Sequence, residues 1–147
     1  MNPELLKLIT QLCRNGLRHR YRRLTGKPGK PAAISFEITH DCIARCIMCN
    51  IWKIPARVPN LPIADWLTLL SSPVLEDLRE LDVTGGEPFL REDLSDLFDG
   101  ICALKNTNLK RLRAVAVTTN GFLTRRVVTT VENIARRLHR ENIELVM

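Results

Sequence analysis

Three cysteines within eight positions, Cys42, Cys46 and Cys49, are the residues of this chain best suited to chemistry. They lie in the run Thr39-His40-Asp41-Cys42-Ile43-Ala44-Arg45-Cys46-Ile47-Met48-Cys49-Asn50, with the spacing C-x3-C-x2-C. Three thiolates suit soft metals and iron–sulfur clusters. A four-iron cluster held by three cysteines keeps one iron open, and an open position separates a reactive metal site from a structural one. A structural zinc site made of the same three cysteines with His40 as fourth ligand also satisfies this pattern. The chain would then be a zinc-stabilised binding module. A disulfide framework fits poorly, because the cysteines number five (13, 42, 46, 49 and 102) and three are crowded together. Cys13 and Cys102 are expected as small buried residues, not ligands.

Two other short runs carry chemical potential. Thr84-Gly85-Gly86-Glu87-Pro88 follows an alternating segment. Paired glycines at the carboxyl end of a strand let a ligand approach the backbone closely. An ordinary glycine turn explains the same residues. Thr118-Thr119-Asn120-Gly121 ends the next alternating segment, and Asn-Gly is also a common turn.

These runs need a scaffold that brings them to one place. Ile34, Phe36 and Ile38 alternate with Ser35, Glu37 and Thr39, which predicts a first strand ending at the cysteine loop. A helix is expected over residues 63–70. A second strand is expected over 79–84, a helix over 91–104 and a third strand over 112–119. A helix from about residue 124 and a fourth strand over 143–147 complete the pattern. Strands alternating with amphipathic helices imply βαβ units and a parallel sheet. The first two strands put Ser, Thr, Asp or Glu on the face opposite their apolar residues. Such a face either lines a wet, open lumen or is simply solvated; a fully packed barrel would carry branched apolar residues there.

The chain has 147 residues and a net charge of +6. Residues 1–30 hold eight Lys/Arg against Glu4 alone, a net +7, and the rest carries −1. The domain itself therefore offers no broad basic surface for nucleic acid. Residues 3–24 are expected as a basic amphipathic helix, capped by Asn2 and Pro3, and a linker containing Gly26, Pro28, Gly29 and Pro31 follows. The apolar stripe of this helix either packs on the domain or meets an anionic surface or acidic partner. No apolar run approaches the roughly 20 residues that span a bilayer, and no secretory signal is evident. The chain reads as cytoplasmic.

The cysteine spacing after strand one, with a hydrophobic residue before the last cysteine, resembles the signature of the radical S-adenosylmethionine (radical SAM) superfamily. The G-G-E-P run one βα unit later strengthens the resemblance, which covers residues 34–147. By it, Cys42, Cys46 and Cys49 ligate a 4Fe–4S cluster whose fourth iron chelates S-adenosylmethionine. Gly85, Gly86, Glu87 and Pro88 match the element that binds the amino group of that molecule. Met48 takes the place of the residue beside the adenine, and Asn120 lies near the cofactor. Trp52 is expected to pack beneath the cluster. The reaction implied is reductive cleavage to methionine and a 5′-deoxyadenosyl radical, which abstracts hydrogen from a substrate. A one-electron reductant such as flavodoxin or ferredoxin would be its partner.

The fold implied is α/β, the N-terminal portion of a partial (β/α)6 TIM-like barrel: three βα units and the start of strand four. The division expected is residues 1–31 as basic helix and linker, and 32–147 as a truncated core domain. Residues 143–147 stop within a strand, so a fragment is expected, either active or retaining the cluster loop without catalysis. The substrate is not readable.

Overall fold

The computed structural model describes residues 2–55 and 57–147. Helix α1 spans Pro3–Thr25. Asn2 accepts the Glu4 N–H at 3.0 Å through its side chain, Pro3 occupies the first turn, and Gly26 ends the helix in the left-handed region at φ 66°. These are the capping residues such a helix requires. None of its residues is buried.

Strand β1 (Ala33–Thr39) opens the sheet, followed by α2 (Ile63–Leu70), β2 (Glu80–Gly85), α3 (Leu94–Leu104), β3 (Ala114–Val117), α4 (Thr124–Arg140) and β4 (Glu144–Val146). The strand order is β1-β2-β3-β4, and every neighbouring pair is parallel. A parallel pair needs a crossover, and each is made here by one helix. The chain is therefore α/β with a four-stranded parallel sheet, in agreement with the alternating pattern of its sequence.

The core lies between the sheet and α2, α3 and α4. Phe36 and Ile38 of β1, Leu81 and Val83 of β2, and Val115 and Val117 of β3 point to this side. Leu70, Leu97, Phe98, Ile101, Ile134 and Leu138 meet them from the helices. Helix α4 ends where Asn142 takes φ 55° and Ile143 N–H returns to the Leu138 carbonyl at 2.9 Å. Asn tolerates that conformation better than most residues with a Cβ.

The opposite sheet face presents mostly small and polar side chains. Ala33, Ser35, Glu80, Asp82, Ala114 and Ala116 line an open concavity of about 500 Å³ there. Ser35 donates to Asp82 across β1 and β2 at 2.9 Å. The alternation of polar residues along the first two strands thus marks an open face.

Some boundaries differ from expectation. The helix after β2 starts at Leu94, not at 91, because a short 3-10 turn over Pro88–Leu90 intervenes and Arg91 keeps an extended backbone. Strand β3 is four residues long: Leu112 is already buried outside the ladder, and after a last Thr118 N–H bond to the Val83 carbonyl of β2, Thr119 turns to Glu87. Cys13 is exposed, contrary to the expected burial, because α1 buries nothing.

Candidate functional site

The site is assembled at the carboxyl ends of β1, β2 and β3, the edge at which open α/β sheets bind ligands. The cysteine loop leaves β1 through a register shift between Glu37 and Thr39. Thr39 is buried, and its hydroxyl accepts the Asp41 N–H at 3.0 Å. Asp41 is in turn held by the amide of Asn60 at 2.7 Å, while the Asn60 carbonyl oxygen accepts the His40 N–H at 3.1 Å. These bonds fix the backbone immediately before Cys42.

Beyond Cys42 the loop has no regular secondary structure, and Ala44 anchors it in the interior. Cys49 N–H donates to the Cys46 carbonyl at 3.1 Å, so both cysteines flank one tight turn. All three loop cysteines are free thiols. Cys42 is half-buried, and Cys46 and Cys49 are exposed. Ile47 and Met48 at the tip of the turn are also exposed. Trp52 folds back so that its indole N–H donates to the Cys49 carbonyl at 3.1 Å, with Arg45 and Lys53 over its ring at 5.5 and 5.1 Å. The loop is thereby given two cations.

The double glycine lies directly against this loop. Gly86 N–H donates to the Thr39 carbonyl and Glu87 N–H to the Asp41 carbonyl, both at 2.8 Å. A Cβ on Gly86 would overlap the Asp41 carbonyl group, and one on Gly85 would overlap that of Thr39. Gly85 also takes φ 130°, a region that favours glycine. The two runs meet backbone to backbone, which only residues without a Cβ permit.

Glu87 ties in the third run. It is fully buried. Its carboxylate accepts the Phe89 N–H at 3.2 Å, the Thr119 hydroxyl at 3.0 Å and the Asn120 N–H at 2.8 Å. A buried carboxylate needs such donors to offset its lost hydration. Asn120 then reaches Cys42, with its amide nitrogen 3.8 Å from the sulfur. Pro88 is buried at the start of the following turn.

Arg91 braces the assembly from below. Its side chain is 9% exposed. One guanidinium nitrogen donates to the carbonyls of Ile38 and Leu61 at 2.7 and 3.0 Å, and the other two bind both oxygens of Asp93. The guanidinium beside Asp93 holds that carboxyl below its ordinary pKa, against the opposing effect of burial.

Among the described residues, no three His, Cys, Asp or Glu side chains converge closely enough to hold an ion. The donor set nevertheless fits an iron–sulfur cluster. Three unpaired thiols leave one unstructured loop, and drawing them to one centre breaks no helix or strand.

A family model described as the radical SAM superfamily matches residues 36–146. The chain belongs to the radical SAM superfamily. It is similar to the antilisterial bacteriocin subtilosin biosynthesis protein AlbA of Bacillus subtilis, at 27% identity over 65% of this chain and 20% of that protein. It is also similar to a probable GTP 3′,8-cyclase of Sulfolobus acidocaldarius, at 32% identity over 76% of this chain and 33% of the relative. A GTP 3′,8-cyclase of Campylobacter jejuni matches at 30% over 76% of this chain and 34% of its own length. The chain thus spans about a third or less of these relatives. Radical SAM proteins use a 4Fe–4S cluster and S-adenosylmethionine.

The spacing of its sequence identified the three runs that this radical SAM chain brings together. It did not identify Asp41, Asn60, Arg91 or Thr119. Arg91 stands three residues after Pro88, a detectable offset, but Asn60 lies in a stretch without periodicity.

Proposed function

We propose that this chain is the cofactor-binding portion of a radical SAM enzyme, with residues 1–31 as a basic arm and 32–147 as the first part of a (β/α)6 barrel. Cys42, Cys46 and Cys49 hold the 4Fe–4S cluster. The backbone of Gly85, Gly86 and Glu87, with Pro88 closing the turn, receives the amino end of S-adenosylmethionine; Met48 lies beside its adenine and Asn120 near the bound molecule. When bound, the cluster supplies the electron that splits S-adenosylmethionine into methionine and a 5′-deoxyadenosyl radical, the agent of hydrogen abstraction.

The observation that carries this reading is the meeting of the three runs at one sheet edge. Gly86 is packed on Asp41 beside the first cysteine, and Glu87 is bonded to Asn120. A zinc site would require only the cysteines and His40; it gives no role to the double glycine or to the buried carboxylate. Glu87 acts from within: its carboxylate is occupied by Phe89, Thr119 and Asn120, so its side chain orients Asn120. Arg45 and Lys53 offset the negative charge of a thiolate-bound cluster.

The relatives' names describe GTP cyclisation in two cases and bacteriocin biosynthesis in the third. The residues brought together here are those of the cofactor side, so the proposed chemistry stops at hydrogen abstraction from an unspecified substrate. The electron comes from a flavodoxin- or ferredoxin-type donor. Three free thiols suit a reducing compartment, and we assign the cytoplasm. Among the described residues, no helix is long and apolar enough to cross a membrane.

The test is detection of 5′-deoxyadenosine and methionine after anaerobic reconstitution, with S-adenosylmethionine and a strong reductant. Product from the intact chain and none from Cys46→Ala supports the reading. A bound cluster without product would mean a fragment that keeps the cofactor loop but not catalysis.

A further inference from the structure

Helices α2, α3 and α4 each bury residues against the sheet, whereas the 23 residues of α1 bury none. An α-helix turns 3.6 residues per revolution. On that geometry Leu5, Leu6, Leu8, Ile9, Leu12 and Leu17 share one half of the circumference, and Lys7, Gln11, Arg14 and Arg18 share the other. The six apolar side chains are each between 44% and 71% exposed. The last two turns are different. By the same geometry Arg20 and Arg23 fall within the apolar half and Arg18 and Arg22 on the polar side, and Lys27 and Lys30 follow in the linker. Glu4 is the one acidic residue among the first 30.

We propose that α1 docks in the interface of an anionic phospholipid bilayer. The apolar half of its first four turns lies at the acyl boundary, and its arginine-rich end lies among the lipid phosphates. The helix presents two complementary demands at once. Its apolar arc needs a non-aqueous partner, and its net charge of +5, from six Lys/Arg against Glu4, needs an anionic one. A bilayer with acidic headgroups offers both on one surface. RNA offers phosphates but leaves the apolar arc uncovered. The rest of the chain carries −1, and α1 buries no residue against it. The arginines at one end lie on both halves of the circumference, and their long side chains can reach the headgroups from either.

The test is co-sedimentation of the full 147-residue chain with unilamellar vesicles, and it needs no bound cluster. One set is made of phosphatidylcholine alone and the other of equal parts phosphatidylcholine and phosphatidylglycerol. The chain partitions onto the mixed vesicles at least about tenfold more strongly, and raised salt weakens that binding. Ile9→Glu with Leu12→Glu removes binding without altering thermal unfolding, because neither side chain is buried. Arg18→Glu with Arg22→Glu weakens it by charge while leaving the apolar arc intact. Equal binding to both vesicle types, no binding to either, or retention by the Ile9/Leu12 variant overturns the proposal. Binding to single-stranded RNA or to an acidic protein in preference to the anionic vesicles overturns it too.

Discussion

The buried carboxylate of Glu87 accepts the backbone N–H of Asn120 at 2.8 Å, joining the end of β2 to the end of β3. The same carboxylate caps the turn at Phe89. One side chain therefore holds two of the three sequence runs in register. Glu87→Gln keeps the shape but replaces one acceptor oxygen with a donor, which then faces either the Asn120 N–H or the Phe89 N–H. The expected loss is about 1–3 kcal/mol in denaturant unfolding. Affinity for S-adenosylmethionine should fall by about tenfold for each 1.4 kcal/mol lost at the site. Iron content after reconstitution should be retained, because Glu87 touches no cysteine.

Gly86 has no room for a side chain against Asp41, and the obstructing atoms are backbone. Gly86→Ala should cost about 2 kcal/mol or more, since a main-chain clash cannot be relieved by a rotamer change. Gly16, in the middle of α1, is the opposite case: a Cβ added there would meet nothing within 4 Å. Gly16→Ala should raise helix content in circular dichroism, following the Ala preference of about 0.5–1 kcal/mol, and leave core unfolding unchanged. The pair of variants separates a positional requirement from a general effect of removing glycine.

Arg91 joins the end of β1 to Leu61 and to Asp93 through every nitrogen of its guanidinium. Arg91→Lys keeps the charge but loses the fork, and urea unfolding should reveal a cost of about 2–4 kcal/mol. Asp93 adds an acid-side dependence. Its folded pKa is depressed by Arg91, so its contribution is complete above the unfolded value of about 4 and is lost as pH falls through the folded value. Asp93→Asn should flatten that part of the stability–pH curve. Asp93 is partly exposed, so the effect is expected to be small and weakened by salt.

Thiol reactivity should divide the five cysteines. Cys13, Cys46 and Cys49 are exposed and should alkylate first in the metal-free chain. Burial pushes the Cys102 thiol pKa up, aided by Glu141 and Asp99, so Cys102 should react slowest and need higher pH. Mass spectrometry after reconstitution should find Cys42, Cys46 and Cys49 protected and Cys13 still reactive. Protection of Cys13 would contradict the assigned ligand set.

The parallel sheet and its helices were legible because burial imposes a period. Ile34, Phe36 and Ile38 face the helices, and the helix expected over 63–70 forms over those residues. The three functional runs were legible because chemistry restricts residue type: thiols for soft metals, and glycine for backbone contact. Direction was not legible. Nothing in the order of residues says that the Glu87 carboxylate turns inward or that Arg91 reaches back across 53 positions to Ile38. The third strand was expected too long because Thr119 read as a ladder residue; Thr118 N–H still bonds the Val83 carbonyl, but Thr119 gives its hydroxyl to Glu87. Cys13 was expected buried because its stripe is apolar, and periodicity does not identify what covers a stripe.

Metal and sulfide analysis of the chain reconstituted without oxygen, compared with a Cys42→Ala, Cys46→Ala, Cys49→Ala variant, tests the central claim most directly. About four irons and matching sulfide per chain are expected, with their loss in the triple variant. Zinc alone, bound by these cysteines and released when His40 is replaced by Ala, would contradict it.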